Sequence, residues 1–211
     1  PPQERGQFQA SDKKEWESIE ASGAVKMWRK AEADILRQHQ PSRIITSRMV
    51  RRWKPVEGTS SAPLAKSRWC VHGHQDPDTH LLKCVAPPPL TESIMLSLQV
   101  AISMDFEVDF ADVKSAFTQS DPMRRQDGSI FVEPCEGLSL EPGSLIELII
   151  PVYGLDDAPV AWSNTLVKHL VQEMRFKMSL LYPCWFFLHE GGKLAAMTMV
   201  EVDDLMIAAG P

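Results

Sequence analysis

Three aspartates stand beside apolar residues that are typical of β-strands. Asp112 lies in the alternating run 106–113, and Asp203 and Asp204 interrupt the apolar stretch 199–207. An ionised carboxylate in such surroundings costs free energy unless a cation or hydrogen bonds compensate it. Carboxylate oxygens suit Mg²⁺, and two such ions about 4 Å apart can support a displacement at phosphorus. The three aspartates therefore predict a site for phosphoryl chemistry.

A simpler interpretation of Asp203 and Asp204 stays open, since two acids between strands are typical of a hairpin turn with solvated carboxylates. The two interpretations differ in the position of Asp112. Metal binding requires the carboxylates of Asp112 and Asp203 to lie within about 4 to 6 Å of each other. A solvated turn makes no such demand.

A basic segment is the second candidate for chemistry. The net charge is −6, yet residues 43–68 hold seven Lys and Arg residues and one acid, Glu57. Trp53 and Trp69 lie among them. Lys and Arg neutralise phosphates, and interleaved aromatic residues are common in nucleic-acid-binding surfaces. The segment favours a hairpin that contacts a phosphate backbone, with an ordinary solvated face as the alternative.

The composition limits the class of protein. The chain has 211 residues, 44% of them hydrophobic and 24% charged, which is typical of a globular protein. Its longest apolar stretches reach only about half of the roughly 20 residues that a membrane span needs, so we expect no membrane partner. The start has neither an initiator Met nor a signal region, which predicts a chain cut from a longer one. Reduced thiols and an intracellular location are indicated by four widely spaced cysteines, Cys70, Cys84, Cys135 and Cys184.

A zinc site is a rival interpretation of one short region. Two cysteines and three histidines fall within fifteen residues, namely Cys70, His72, His74, His80 and Cys84. Their spacing matches no common CxxC or HxxxH arrangement, and His72 and His74 alternate along a predicted strand. The pattern gives the zinc hypothesis little support.

The elements that must position these residues are helices alternating with hairpins. One or two helices are predicted from Ser11, as N-cap, to about Leu36, with a break at Gly23; another follows Thr91, as N-cap, to about Met104. Apolar residues at every fourth position predict a further helix whose first turn contains Pro159.

Strands are predicted where apolar residues alternate or run together. Their approximate ranges are 43–56, 66–71, 106–113, 129–134, 145–153, 184–189, 193–202 and 205–209, with a loop at 58–63 and a turn at 190–192. This order favours an α+β fold, an antiparallel sheet with helices packed on one face.

Three strings in this order resemble the reverse transcriptases of copia-type (Pseudoviridae) LTR retrotransposons. DVKSAF begins at Asp112 and is similar to DVKTAF; YGLDDAPVAW begins at Tyr153 and is similar to YGLKQAPRAW; VDDLMI begins at Val202 and is similar to the end of YVDDILI. KSRWCV from Lys66 and SIFVEPCEG from Ser129 resemble two weaker family segments. The resemblance covers about residues 43–211.

The resemblance implies a function for the aspartates. The chain would be a fingers and palm fragment of an RNA-directed DNA polymerase, which transfers nucleotides to a primer 3′-hydroxyl by a two-metal mechanism. Asp112, Asp203 and Asp204 would be catalytic. They would bind Mg²⁺, with Mn²⁺ as an alternative, and the Val113 carbonyl would be a further ligand.

The resemblance also implies a binding site for deoxynucleoside triphosphates. Lys66 and Arg68 would neutralise the triphosphate, and Phe117 would exclude a ribose 2′-hydroxyl. Tyr153, Gly154 and Pro159 would shape the loop beneath the nucleotide and template. Core packing for Phe117 and an ordinary strand-end role for Gly154 are the alternatives.

The implied partners are an RNA or DNA template with its primer, and other parts of the same polyprotein, integrase and ribonuclease H. The implied location is the cytoplasm or a virus-like particle, with the nucleus as an alternative. Residues 1–42 would form a helical lead-in, 43–104 a fingers-like region and 105–211 a palm-like region. The thumb and ribonuclease H would follow the third motif, outside this chain.

Some residues depart from the family pattern. Glu201 stands where the family usually has Tyr or Phe near the primer terminus, which adds a third carboxylate beside Asp203 unless its side chain points away. Asp156 and Asp157 replace Lys-Gln, so the nucleotide-binding loop becomes acidic, and Val160 replaces an Arg. These departures favour an alternative, a catalytically decayed palm-fold remnant that acts at most as a nucleic-acid or protein-binding module.

Overall fold

The computed structural model describes residues 2–55 and 63–210. The predicted loop at 58–63 therefore lies outside the described residues, apart from Pro63. The helices are α1 (Pro2–Ala21), α2 (Lys30–His39), α3 (Thr91–Ser103) and α4 (Ala158–Lys168). The strands are β1 (Val25–Trp28), β2 (Ile44–Lys54), β3 (Leu64–Val71), β4 (Glu107–Asp112), β5 (Ile130–Glu133), β6 (Leu145–Leu148), β7 (Lys177–Met178), β8 (Trp185–Glu190), β9 (Lys193–Glu201) and β10 (Asp204–Ala209).

The chain forms two compact units that are each discontinuous in sequence. The first unit contains Pro1–Lys83 and Asp121–Ala158, and the second contains Cys84–Ser120 and Pro159–Pro211. The predicted division into a lead-in, a fingers-like and a palm-like region concerns function, and it stays a prediction.

The first unit is built on a five-stranded sheet in the order β1-β6-β5-β2-β3. Three of its four strand pairs are antiparallel, but β2 and β5 run parallel, with Ile45 opposite Val132. The sheet is therefore mixed, and the expectation of an antiparallel sheet is wrong at this pair. On one face Ala33 of α2 packs against Phe131 and Leu145. Burial of these apolar side chains stabilises the unit.

Helix α1 covers the outer edge of β3. The N–H groups of Ser67 and Trp69 point away from β2, and they donate to the Ser11 hydroxyl at 2.8 Å and to the Glu15 carboxylate at 3.3 Å. An uncovered strand edge is a template for pairing with another chain. Ser11 and Glu15, one turn apart on α1, therefore satisfy this edge. Ser11 lies inside α1, so the prediction of a helix N-cap there is wrong.

Glu15 should make stability depend on pH. Burial raises the pKa of Glu15, against the Trp69 hydrogen bond and the charges of Lys66 and Arg68, which lower it. The folded state therefore holds this proton more tightly than the unfolded state, and its contribution is lost as pH rises through the folded pKa. We expect Glu15→Gln, which keeps an acceptor oxygen for Trp69, to raise the Tm relative to wild type by a margin that grows as pH rises above 4.5.

Thermal melts from pH 4 to pH 8 would measure this margin. Glu20→Gln is the matched control, because Glu20 lies on the exposed side of the same helix. Wild-type and Glu15→Gln curves that stay parallel over this range would contradict the prediction.

The second unit has a fully antiparallel sheet in the order β4-β10-β9-β8-β7. Neighbouring residues of a strand point to opposite faces. On one face Trp185 packs with Ala101 of α3, and on the other Phe186 packs with Trp162 of α4. The two helices therefore cover opposite faces, and the expectation of helices on one face is wrong for this sheet.

Most of the predicted elements are confirmed. The basic hairpin, the strand before Asp112 and the hairpin with the turn at Gly191 and Gly192 all form. The helix at Pro159 begins at Ala158, and it continues past Lys168 as a π-helical turn. Helix α3 starts one residue early, because Leu90 rather than Thr91 is the N-cap.

Strand β1 was not predicted. Gly23, with φ +72°, ends the first helix as expected, but a strand follows it, and the second predicted helix begins only at Lys30. Val25–Trp28 pairs with β6, whose Leu148 lies opposite Val25. This partner is more than 100 residues away, so local periodicity could not indicate it.

None of the helices in the described ranges is both long enough and apolar enough to cross a membrane. The four cysteines all lie within those ranges and are free thiols.

Candidate functional site

Three carboxylates form a row across the second sheet. Asp204, the first residue of β10, lies directly opposite Asp112 on β4 and directly opposite Glu201 on β9. Residues that face each other across antiparallel strands have their side chains on the same face, about 5 Å apart. Glu201 therefore does not point away from the aspartates, and the row carries three like charges.

Asp203 lies in the turn that joins β9 to β10. The turn has two residues, and its first, Val202, has φ +55°. A β-branched residue is strained in this region of φ, at a cost of about 1–3 kcal/mol, and such strain often marks functional sites. Two hydrogen bonds hold the turn: the Val113 N–H donates to the Asp203 carbonyl at 2.7 Å, and the Trp162 indole N–H donates to the Val202 carbonyl at 2.6 Å. The end of β4 and helix α4 thus fix the turn beside Asp112.

A groove of about 410 Å³ opens beside the carboxylate row. Asp112, Glu201 and Asp204 line it together with apolar residues that include Phe110 and Met206. Phe110, on the edge strand β4, is 78% exposed, which is unusual for a phenylalanine within a strand. The groove therefore offers an acidic row next to an apolar surface.

Phe117 follows the end of β4 through a left-handed Ser115, whose φ is +54°. It lies in a short 3₁₀ turn and is half-buried against the cluster formed by Ala116, Trp162 and Leu166. This packing agrees with the core alternative, and the proposed contact with a sugar stays a prediction.

In the first unit the basic hairpin has two different faces. One face packs on α1, where Trp16 and Trp69 meet edge to face at 5.3 Å and Arg51 bonds the buried Asp12 at 2.7 Å. The strand register places the other basic side chains together on the opposite face, where all are exposed: Arg48, Arg52, Lys54, Lys66 and Arg68. The structure thus places these five cations on one side of the hairpin, which we call the cationic face.

Tyr153 and Gly154 continue the row of hydrogen bonds along the β3 edge. Val71 donates to the Tyr153 carbonyl at 2.9 Å, and Gly73 donates to the Gly154 carbonyl at 3.0 Å. The Arg68 guanidinium lies 4.7 Å from the centre of the Tyr153 ring, a cation–π contact. Lys66, Arg68, Tyr153 and Gly154 therefore belong to the first unit.

Gly154 is required by its backbone. Its φ is +98°, and a Cβ would overlap the carbonyl oxygen of Val71. Gly73 has a matching constraint, because a Cβ there would overlap the Gly154 carbonyl oxygen. Two glycines therefore allow the 153–158 loop to approach β3 closely, which an ordinary strand-end glycine would not require.

A family model described as reverse transcriptase (RNA-dependent DNA polymerase) matches residues 32–211. The chain belongs to this reverse transcriptase family. The search of curated proteins found no match. Members of the family act on a template with its primer and on deoxynucleoside triphosphates, and they generally use divalent metal ions.

A metal ion needs several donor atoms close together. Across residues 2–55 and 63–210, no group of three or more His, Cys, Asp or Glu residues is arranged to hold a metal ion. The zinc hypothesis for the cysteines and histidines near residue 70 therefore gains no support. Asp112 and Asp204 are nevertheless adjacent oxygen donors beside a groove, which is the chemistry that Mg²⁺ prefers.

The acidic loop at residues 153–158 is partly neutralised, contrary to expectation. Asp157 receives two hydrogen bonds from Arg125, at 2.6 and 3.1 Å, while Asp156 is exposed. Burial of Arg125 alone would lower its pKa, but the bond to Asp157 and the charges of Asp157, Asp76 and Asp78 outweigh it and raise the pKa. Sequence reasoning missed Arg125, because nothing in the local pattern indicates a partner 32 residues away.

Proposed function

We propose that the chain is a copia-type reverse transcriptase fragment that synthesises DNA on an RNA or DNA template. The observation that carries the proposal is the position of Asp112 directly opposite Asp204, beside a strained turn that contains Asp203. Any two-residue hairpin turn needs a positive φ at its first residue, so the φ of Val202 fits both interpretations, but a solvated turn would not need two hydrogen bonds to fix it. The ordered family strings support the same conclusion.

In this proposal Asp112, Asp203, Asp204 and the Val113 carbonyl hold Mg²⁺, or Mn²⁺ in its place. Metal ions bound there would supply activation of the attacking 3′-hydroxyl and neutralisation of the leaving pyrophosphate. The role of the protein is to hold the turn that carries Asp203 beside Asp112 and Asp204. The Val113 and Trp162 hydrogen bonds do so by fixing the turn.

The remaining site residues have proposed roles in substrate binding. Lys66 and Arg68, exposed on the cationic face, neutralise the triphosphate, and this face suits backbone contacts that any template can make. Tyr153, Gly154 and Pro159 shape the nucleotide-binding loop. Phe117 excludes ribonucleotides.

The wider assignments rest on the same proposal. Residues 1–42 are the helical lead-in, 43–104 the fingers-like region and 105–211 the palm-like region. Integrase and ribonuclease H of the same polyprotein are the proposed partners, and the cytoplasm, a virus-like particle or the nucleus is the proposed location.

One observation favours a second candidate, a decayed palm-fold module that binds nucleic acid or protein without turnover. Glu201 lies on the same face as Asp112 and Asp204, where its charge opposes the phosphates of a primer terminus. Like charges directly opposite each other also destabilise a sheet.

Primer extension separates the two candidates. We expect the full chain to extend oligo(dT) on poly(rA) with dTTP and either Mg²⁺ or Mn²⁺, and Asp203→Asn to lose this activity. Wild-type extension no higher than that of Asp203→Asn, with both proteins folded by circular dichroism, would favour the decayed module.

A further inference from the structure

The strongest feature outside the acidic row is a cluster of buried charges in the first unit. Arg125 bonds Asp157 at 2.6 Å and Asp76 at 3.0 Å. The side chains of Arg125, Asp76 and Asp157 are only 4%, 2% and 14% exposed. Burying a charge costs several kcal/mol unless it is paired and hydrogen-bonded, so each member depends on the others.

Arg43, the residue before β2, is joined to the same cluster through Asp78, whose carboxylate lies 3.9 Å from the Arg125 guanidinium. The Arg43 guanidinium bonds Asp78 at 2.9 Å and the carbonyls of Gly128 and Ser129 at 2.6 and 3.3 Å. The loop that carries Arg125 is therefore tied down at its far end. Near its start, the Met123 N–H donates to the Ile149 carbonyl at 2.8 Å. Arg125 is thus presented by a loop that is fixed on both sides.

Arg125 joins the two segments that approach each other at Gly73 and Gly154. Asp76 lies three residues after Gly73, and Asp157 lies three residues after Gly154. The Asp76 N–H bonds the Gly73 carbonyl at 2.8 Å, so the acid is held rigidly to its glycine. One guanidinium therefore spans both partners of the close backbone approach. A planar guanidinium with several donors suits this task, whereas a single ammonium does not.

The joined segment carries a residue of the proposed nucleotide site. Tyr153 precedes Gly154, and its ring contacts the guanidinium of Arg68. A shift of the loop would move this ring and with it the cation that we assign to the triphosphate. The geometry therefore connects a buried ion pair to substrate binding through three contacts that the structure contains.

We propose that Arg125 is a positioning residue, which holds the 153–158 loop against β3 so that Tyr153 and Arg68 meet the incoming deoxynucleotide. The role in nucleotide binding rests on the proposed polymerase function. The role of the Arg125 ion pairs in holding the loop against β3 does not. Arg125 itself contacts no reacting atom. Asp157 departs from the family strings, but in this proposal it is the ion-pair partner of Arg125 rather than a sign of decay.

The first measurement needs no activity. In the full-length chain, we expect Arg125→Gln to speed hydrogen exchange at the Val71 and Gly73 amides, which donate to the loop, by about tenfold or more. The Trp69 amide, which bonds Glu15 instead, is the internal reference and should keep its rate. Arg124→Gln is the matched control, because Arg124 is the exposed neighbour on the same loop.

The second measurement is the kinetics of primer extension. We expect Arg125→Gln to raise the KM for dTTP by about tenfold with a much smaller change in kcat, because misplaced binding groups weaken ground-state contacts. Arg125→Lys, which keeps the charge but not the fork, should give an intermediate KM. Asp157→Asn, in which Arg125 keeps Asp76, should change KM in the same direction and serves if Arg125→Gln does not fold.

Each outcome decides a separate point. Unchanged hydrogen exchange at the Val71 and Gly73 amides would overturn the claim that Arg125 holds the loop against β3. Faster exchange with an unchanged KM would overturn the positioning role and leave a purely structural pair. A wild-type chain without primer extension would instead overturn the proposed function, and with it the role of Arg125 in nucleotide binding. The exchange rates would still decide whether Arg125 holds the loop against β3.

Discussion

Replacement of Asp112 by Asn is expected to lower the rate of primer extension by about a thousandfold without lowering the Tm. Charge stabilisation by bound metal ions contributes several kcal/mol to such reactions, and about 4 kcal/mol corresponds to a factor of a thousand. Asparagine has nearly the same size as aspartate. It also removes one of three like charges in the row with Asp204 and Glu201, so the sheet should not be destabilised.

The same strand provides a matched control. Asp109 is also exposed on β4, but it lies three residues away and therefore points to the other face. Asp109→Asn should keep wild-type extension within about twofold, as surface substitutions away from a site usually do. Extension rates and thermal melts on the three proteins test the prediction. Similar losses in Asp109→Asn and Asp112→Asn would mean that strand charge, not a site on one face, controls activity.

The strands around Asp112 and Asp204 could be predicted because their signal is local. Alternation along β4 and the apolar runs on both sides of Asp203 and Asp204 indicate strand, turn and strand, and all three form. The strand register is not local. Packing of the sheet against α3 and α4 places Asp204, rather than Asp203, opposite Asp112, and no single-sequence pattern specifies such a register.

Long-range pairing explains the errors in the predicted fold. Strand β1 pairs with β6 across more than 100 residues, and β2 pairs in parallel with β5. A parallel pair requires a long connection, which leaves no turn signal between its strands. The sequence therefore predicts which segments of the first unit are strands more readily than how those strands are ordered.

The cluster of buried charges around Arg43 and Arg125 was not predicted, for a different reason. Arg43 lies in the basic segment and looks like one more phosphate-binding residue, yet it is only 6% exposed and bonds Asp78. Charge patterns along a sequence do not reveal which side chains are buried. Five of the seven basic residues of that segment remain on the cationic face, because Arg43 and Arg51 each serve an internal carboxylate.

Replacement of Gly154 by Ala is expected to destabilise the first unit more than any surface change. The positive φ costs about 1–3 kcal/mol for a residue with a Cβ. The overlap with the Val71 carbonyl involves backbone on both sides, so the loop must move away. That movement breaks the bonds from Val71 and Gly73, at about 1 kcal/mol each. A total of about 4 kcal/mol should lower the Tm by about 8 to 16 °C.

Gly23→Ala separates the two contributions to this loss. Gly23 belongs to the same unit and has φ +72°, but a Cβ there meets no atom within 4 Å. Its cost should be that of φ alone, so the difference between the two variants in thermal melts measures the close approach of the loop to β3. If both variants lost equal stability, the close approach of Gly154 to β3 would not hold the loop. The Arg125 pair would then be the remaining contact that positions Tyr153, because it would no longer share that role with the backbone.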